Sequence, residues 1–424
     1  MPRILLFFFL SIVFFSCKKD VDSTPPIVTI SSPSEGSRFQ VLDQITLSAT
    51  ATDNEQITVM RSYLMYSDGR TIALNGPSNG TVAPQVNLQA NLVLSDSLLP
   101  TANYFIRVDA EDGDNINSAF RSIQIEGIPR RKLSLMVVSH ELLNANLWED
   151  KNDLTFQLQR TFDRYHNKSI FLNEKQQLWT AESDGYKLKV TQIKDNELLL
   201  DKRLQQNSAI PFEAITTDGS TIYYATKEEM MAYNTSISKR FSIYPSQNRK
   251  FGKVYSGERY LLLEELDLTN TNRHLRILFN DNGAQFGSVN LAIASEEIFF
   301  TNRTDALIFS NKNGNGFIQE LNIEKTQLSE LINLNDSIIR VISMPDNHFL
   351  ISTDKGVFEY DYARQSITAK VSTTHAVMAF DEVNQEVVIG KDKIIWTYAY
   401  PSFQLLKTGN CPELVKQLIV RYNY

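Results

Sequence analysis

Carboxylate side chains with the chemistry of a cation site occur in two short segments of the chain. Asp109, Glu111, Asp112 and Asp114 follow one another within six residues, and Asp53 lies at the end of an earlier strand pattern. Because Ca²⁺ takes about six to eight oxygen ligands, these five residues are candidate calcium ligands. Their spacing is not that of an EF-hand loop. A turn explains the same residues, since Asp, Gly and Asn tolerate turn dihedral angles, and both interpretations stay open.

The residue types that carry enzyme catalysis lack the spacing that their chemistry requires. His140-Glu141 begins like a zinc-protease motif, but the second His that would complete the metal site is missing. The five His show no metal-ligand spacing, and neither Gly-x-Ser-x-Gly nor a phosphate-binding loop occurs. We therefore assign no catalytic residue, and no cofactor apart from the calcium candidate. A pair of distant carboxylates could still hydrolyse a glycosidic bond, so an enzyme stays an alternative.

The beginning of the chain has the pattern of a signal peptide. Arg3 is followed by an apolar run from Ile4 to Phe15 that only Ser11 interrupts. Twelve residues in a helix are too short for the roughly 30 Å hydrocarbon core of a bilayer. The pattern therefore predicts a signal peptide over residues 1–16 rather than a transmembrane helix.

Cys17 is the residue to which we assign a covalent modification. The small Ser16 directly before Cys17, at the end of the apolar run, resembles the lipobox of bacterial lipoproteins. In that family the Cys becomes the lipid-modified first residue of the mature protein. Phe14 and Phe15 depart from the family pattern, which prefers Leu and a small residue there. An ordinary secretory signal is the alternative.

Lys18-Lys19-Asp20 resembles the start of many outer-membrane lipoproteins of Bacteroidetes-type bacteria. In that group, charged residues after the Cys can direct export to the cell surface. The resemblance implies contact with the outer membrane through the lipid, and a location at the cell surface. A periplasm-facing anchor is the alternative. A lipidated Cys17 also leaves Cys411 without a disulfide partner.

The composition favours a folded β protein. Hydrophobic residues make up 42% of the 424 residues, which is too much for a disordered chain. Lys and Arg number 42 against 49 Asp and Glu, so the net charge is −7 and nucleic acid is not expected as a partner. Plentiful Thr, Tyr, Phe and Ile point to strands.

After a tether at residues 17–26, residues 27–127 hold about seven short strand patterns, the size and rhythm of an immunoglobulin-like sandwich. In one of them Ile45, Leu47, Ala49 and Ala51 alternate with polar residues. The segments PPIVTISSPSEGSRF, ITLSATATDNEQI and ANYFIRVDAEDGDNINS resemble bacterial Ig-like domains of secreted and surface proteins. That resemblance implies a spacer or adhesion role for this domain.

Residues 133–424, which follow a linker at residues 128–132, contain a repeat of strand, tight turn and strand that recurs about every 41 residues. Such a period predicts a β-propeller. The last apolar strand, Leu414 to Tyr422, is expected to complete a blade that begins near Leu133. Its residues Leu414, Leu418 and Val420 should then be buried. This closure gives seven blades, and six remain the alternative. The Tyr residues of these strands are expected in the core.

The sequence thus predicts an all-β, lipid-anchored surface protein with an Ig-like β-sandwich followed by a β-propeller. The expected function is non-catalytic recognition of a protein or glycan through the propeller, with the Ig-like domain as spacer. Two alternatives stay open: a glycan-acting hydrolase or lyase with its site in the propeller funnel, and a structural component of an outer-membrane assembly.

Overall fold

A computed structural model describes residues 22–67, 69, 71–72, 82–94, 99–141, 144–151, 153–162, 166–182, 187–203 and 212–423. The predicted signal peptide and Cys17 lie outside these residues. The chain divides into two compact units, one ending at Pro129 and the other beginning at Arg130. Across the described residues, no helix has the length and apolar character needed to cross a membrane.

Nearly every regular element in the described part of the chain is a strand; two short 3₁₀ turns, Asn173–Lys175 and Pro345–Asn347, are the exceptions. The strands of the first unit are β1 (Ile27–Ser32), β2 (Ser37–Gln40), β3 (Gln44–Ile57), β4 (Val59–Tyr66), β5 (Thr71–Ile72), β6 (Ala83–Val93), β7 (Ala102–Glu111) and β8 (Ile116–Glu126).

The second unit contains strands β9 to β36. They are β9 (Lys132–Glu141), β10 (Asn144–Asp150), β11 (Gln157–Phe162), β12 (His166–Leu172), β13 (Gln177–Glu182), β14 (Lys187–Gln192), β15 (Glu197–Arg203), β16 (Phe212–Thr217), β17 (Thr221–Thr226), β18 (Met230–Asn234), β19 (Lys239–Ile243), β20 (Arg249–Ser256), β21 (Tyr260–Asp267), β22 (Arg273–Phe279), β23 (Gln285–Leu291), β24 (Ser295–Phe300), β25 (Asp305–Lys312), β26 (Asn315–Asn322), β27 (Gln327–Leu334), β28 (Ile338–Met344), β29 (His348–Thr353), β30 (Val357–Asp361), β31 (Ser366–Val371), β32 (Val377–Asp381), β33 (Glu386–Lys391), β34 (Ile394–Ala399), β35 (Gln404–Asn410) and β36 (Leu414–Tyr422).

The first unit is a sandwich of two sheets. One sheet has the order β1-β3-β6 and the other β2-β8-β7-β4-β5. The alternating residues of β3 that the sequence pattern selects are buried between them. The Tyr104 hydroxyl donates a 2.8 Å hydrogen bond to the Pro100 carbonyl four residues upstream. A buried Tyr that bonds back to the backbone in this way is typical of Ig-like sandwiches.

The second unit is a ring of seven four-stranded sheets in the described part of the chain. Each sheet is an antiparallel meander, and its innermost strand packs against the innermost strand of the next sheet. The inner strands follow one another in the order β36, β12, β16, β20, β24, β28 and β32, and β32 packs against β36 again. Ser169 and Gln417 connect β12 to β36 through a 2.7 Å side-chain hydrogen bond. These sheets are the blades of a β-propeller, so the predicted fold class is confirmed.

Strand β36 closes the ring. It pairs with β9 and supplies the inner strand of a blade whose other three strands, β9, β10 and β11, begin the unit. The seven-blade prediction is therefore confirmed, and the six-blade alternative is wrong. Leu418 and Val420 are buried as expected, but Leu414 is 41% exposed and Val415 is buried in its place. The reason is an extra residue, Lys416, in the pairing of β36 with β9, which reverses the alternation of inward and outward side chains.

The Tyr side chains of these strands belong to the core. Tyr223, Tyr224 and Tyr360 are fully buried, and Tyr233 nearly so. Tyr224 stacks on Tyr233 with ring centroids 5.7 Å apart. The expectation that they pack rather than face a ligand is confirmed, because rings within sheets gain most from neighbouring apolar side chains.

Candidate functional site

The structure places two of the five calcium candidates together. Carboxylate oxygens of Asp53 and Asp112 lie within 4.8 Å of each other and of Asp22, a residue that the sequence patterns did not indicate. Asp22 belongs to the predicted tether, and it is held by the side-chain amide of Asn115, which donates a 2.9 Å hydrogen bond to its carbonyl. Since a tether has no local pattern that predicts a tertiary contact, only the fold reveals this third carboxylate.

The other three candidates have different neighbours. Asp109 accepts a 2.6 Å hydrogen bond from Arg107, and Glu111 forms a 3.2 Å ion pair with Arg61. Both carboxylates lie on β7, which continues as a regular strand up to Glu111. Asp114 lies in the turn, where its amide donates to the Asp112 carboxylate over 2.7 Å.

The three clustered carboxylates could give a divalent cation part of its shell. Burial opposes ionisation of Asp112, but hydrogen bonds from Asn115 and Asp114 outweigh it and lower its pKa. One carboxylate oxygen of Asp53 is buried and has no hydrogen-bond partner among the described residues. Three carboxylates are about half of the six to eight oxygens that Ca²⁺ takes. Calcium binding therefore stays a prediction, on Asp22, Asp53 and Asp112.

A larger site lies inside the propeller. The inner strands enclose a cavity of about 660 Å³. Six of the seven inner strands contribute to its wall, and β9 adds one residue. The charged residues of the wall are Lys168, Lys253, Glu296, Glu297, Arg340 and Lys416, and its apolar residues are Val138, Ile339, Val341, Ile342, Val377, Met378 and Leu418.

A β-bulge near the start of the inner strand recurs in six of the seven blades. In each of them one extra residue interrupts the pairing with the next strand of the blade. Bulges bend a strand and redirect its side chains, and they are frequent beside binding sites. The inserted positions are Asn167, Glu213, Gly252-Lys253, Glu296, Ile339 and Lys416. The seventh inner strand, β32, pairs without interruption.

The bulges bring charged groups into the cavity. Glu296 with Glu297, Ile339 with Arg340, and Lys416 with Gln417 are consecutive pairs that both reach the wall. The sequence contains a signal for these charged groups. A charged residue stands at or next to the inserted position in all six bulged strands, whereas the corresponding start of β32 is apolar.

Ion pairing in the cavity is incomplete. Lys253 is held by Glu296 at 3.4 Å and by the carbonyls of Ser295 and Glu296, each at 2.8 Å. Glu296 also accepts a 3.2 Å hydrogen bond from the Asn311 amide. These contacts stabilise the bulge of β24 and connect it to β20.

Lys168, Arg340 and Lys416 make no direct ion pair or hydrogen bond through their side chains with any residue in the described ranges. The side chain of Lys168 is exposed to water in the cavity, but the surrounding protein partly desolvates it, and this desolvation lowers its pKa. Glu297 opposes the shift in pKa, whereas the charges of Lys253 and Arg340 add to it. Desolvation likewise raises the pKa of the Glu297 carboxyl against the attraction of Lys168. These charges therefore act on one another across the cavity.

Comparison with known proteins supports the fold of both units. Residues 26–91 match a family model described as a bacterial Ig domain. A candidate 6-phosphogluconolactonase from Bacteroides fragilis resembles the chain with a TM-score of 0.50 and 12% identity, over 68% of this chain and 97% of that one. No curated protein matches.

Two further solved structures resemble the chain with lower TM-scores. A quinonprotein alcohol dehydrogenase-like protein from Bacteroides thetaiotaomicron has 9% identity and a TM-score of 0.44, over 93% of this chain and 99% of that one. The dihydro-heme d1 dehydrogenase NirN has 12% identity and a TM-score of 0.47, over 68% and 75%. At these identities the likeness concerns the fold alone.

Proposed function

We propose that this chain is a lipid-anchored outer-membrane protein, exposed at the cell surface, whose propeller recognises a protein or a glycan without converting it. The Ig-like unit acts as a spacer between the lipid on Cys17 and the propeller. The lipobox-like Ser16-Cys17 pair and the charged residues after it support the location. The match of residues 26–91 to a bacterial Ig domain supports the spacer role.

The observation that carries the recognition role is the cavity formed by the bulged ends of the inner strands. Its volume of about 660 Å³ is that of a site for a small molecule or for the terminal unit of a larger one. Five of the six bulged inner strands, β12, β20, β24, β28 and β36, contribute residues to its wall. Side chains at these bulges, such as Lys253, Glu296 and Lys416, reach the wall of the cavity.

The test is to block the cavity. Ile339 is a half-buried bulge residue in the wall, so Ile339→Trp should fill part of the cavity at little cost to the core. The mature chain, produced without its lipid, is screened against a panel of oligosaccharides and envelope proteins. We expect Ile339→Trp to lose the ligand that the parent chain binds.

The matched control is Leu406→Trp, which adds the same side chain at a position that is 46% exposed on β35. It should bind like the parent chain. Unchanged binding by Ile339→Trp would place recognition elsewhere on the molecule.

One observation favours a second function, that of a glycan-acting hydrolase or lyase. Burial raises the pKa of Glu297, and this would suit a proton donor at the wall of the cavity. The same screen distinguishes the two functions. Product formation that Glu297→Gln abolishes would establish the enzyme, and binding without product formation would establish recognition.

A further inference from the structure

The wall of the cavity contains three cations and one carboxylate that form no direct ion pair. Lys253 and Glu296 pair with each other, so they cancel in the balance of charge. Lys168, Arg340 and Lys416 remain, and only Glu297 offsets them. The wall therefore carries a net charge of about +2 by this count, on a chain whose overall charge is −7.

The charges are not spread evenly around the cavity. The bulged strands β12, β28 and β36 carry the three cations, whereas the unbulged β32 contributes the apolar Val377 and Met378. Strand β32 lies between β28 and β36 in the ring, so Val377 and Met378 lie between the strands that carry Arg340 and Lys416. This combination of neighbouring cations and apolar side chains suits a molecule that has both an acidic group and an apolar face.

We propose that the cavity binds a small organic anion, of the class of an acidic saccharide unit, through Lys168, Arg340 and Lys416. The acidic group lies among the three cations, and the apolar face of the sugar ring packs on Val377 and Met378. This inference rests on the proposed recognition role and adds the chemical class of the ligand to it.

The electrostatics of the cavity wall also favour an anion. Desolvation is the main cause that lowers the pKa of Lys168. Glu297 opposes this shift, and the charges of Lys253 and Arg340 add to it, because like charges disfavour its protonated form. A bound anion would relieve this repulsion. Arg340 also presents a planar guanidinium, which can donate two parallel hydrogen bonds to a carboxylate, a sulfate or a phosphate.

The experiment measures the binding of three probes to the full mature chain by calorimetry at low ionic strength. Digalacturonate carries the acidic saccharide chemistry, galactobiose is its neutral counterpart, and inorganic phosphate is an anion without an apolar face. We expect digalacturonate to bind and galactobiose to bind at least tenfold more weakly, since each charged hydrogen bond contributes about a factor of ten or more.

Two variants should move the affinity in opposite directions. Arg340→Gln removes a cation and should weaken digalacturonate binding by about tenfold. Glu297→Gln removes the opposing carboxylate and should strengthen it, an effect that mere destabilisation of the fold cannot produce. Lys325→Gln is the control, because Lys325 is exposed outside the cavity and should not change the affinity.

Several outcomes would overturn the inference. These are no binding of digalacturonate, equal binding of galactobiose, phosphate binding as tight as that of digalacturonate, or affinities that neither variant changes. Recognition of a neutral ligand that Ile339→Trp blocks would leave the proposed function intact while this inference fails. Conversion of digalacturonate into products would support the anion site but contradict the proposed non-catalytic function.

Discussion

Individual polar groups in the propeller core differ in whether they find partners. Glu413, just before β36, is buried and accepts hydrogen bonds from Ser139, from Asn146 over 2.6 Å and from Trp148 over 3.3 Å. This carboxylate connects the last segment of the chain to β9 and β10 through charge-assisted bonds. The hydroxyl of Tyr360, by contrast, is buried with no hydrogen-bond partner among the described residues.

Tyr360 provides a test at the scale of one atom. Tyr360→Phe removes a buried, unsatisfied hydroxyl and should raise the free energy of unfolding by about 1 kcal/mol or more at neutral pH. Tyr362→Phe is the matched control, because the Tyr362 hydroxyl donates to Glu320 and its loss should lower stability. Denaturant titration of both variants measures the two changes. A loss of stability in Tyr360→Phe would show that its hydroxyl has a partner.

The titration of Tyr360 should account for part of the loss of stability at alkaline pH. Desolvation, with smaller contributions from Glu320 and Asp361, raises the pKa of Tyr360 to about 12. An unfolded Tyr ionises near pH 10, so the titration of Tyr360 leaves the free energy of unfolding unchanged below about pH 10 and lowers it as the pH rises towards 12. We expect Tyr360→Phe to lose less stability than the parent chain over this window. Unfolding measured from pH 9 to 12 tests it, and equal losses would contradict the assignment.

At the scale of elements, the bulges of the inner strands determine which side chains face the cavity. In β36 the extra Lys416 shifts the alternation of buried and exposed side chains. Val415 is the buried residue before the bulge, and Leu418 is the first buried residue after it. A one-residue shift in register exchanges the two faces of a strand. Strand β32, which has no bulge, keeps its regular pairing with β33.

Strand β36 also carries a prediction about ring closure. Deletion of residues 413–424 removes the inner strand of one blade together with Glu413 and the 2.8 Å ion pair between Arg421 and Glu149. It exposes the edge of β9 and the neighbouring apolar core, so we expect the propeller to aggregate or unfold. Size-exclusion chromatography and thermal unfolding measure the effect.

Removal of a frayed terminal tail would behave differently, because such a tail contributes little to stability. A truncated chain that stays monomeric with unchanged melting would show that the pairing of β36 with β9 does not hold the ring. The control substitutes Leu414, which is 41% exposed, by Ser and should leave the ring intact.

At the scale of the whole molecule, the chain consists of two units that bury their apolar residues in different ways. The sandwich up to Pro129 buries a single core between its two sheets. The propeller from Arg130 divides its apolar residues among clusters that follow the ring, and its first and last strands belong to one blade. The cysteine in this unit, Cys411, is buried and free, and burial raises the pKa of its thiol.

The proposed anchor is tested on the complete chain in cells. Because we propose that a lipid on Cys17 holds the protein at the membrane, Cys17→Ala should move it into the soluble fraction. Cys411→Ala is the matched control, since it removes a buried thiol and leaves the lipid in place. Fractionation followed by a carbonate wash measures both variants. A Cys17→Ala protein that stays with the membrane would contradict lipid anchoring.

The sequence by itself determined the class of fold and favoured seven repeats over six. Alternating residues such as Ile45 and Leu47 identify half-buried strands, because the side chains of a strand alternate between faces. A period near 41 residues and the last strand from Leu414 to Tyr422 favoured seven blades with closure, and the pairing of β36 with β9 decided against six. These features depend on local residue patterns and on the spacing between them, and both can be read directly from the sequence.

The tertiary structure decided which residues meet. Asp22 joins Asp53 and Asp112 although it lies in the predicted tether, while Asp109 and Glu111 pair with cations on their own sheet. Lys168, Glu297 and Arg340 come from three blades and converge only when the ring closes. Such contacts depend on distances between residues far apart in the chain, and on one-residue bulges that a period-two pattern does not predict.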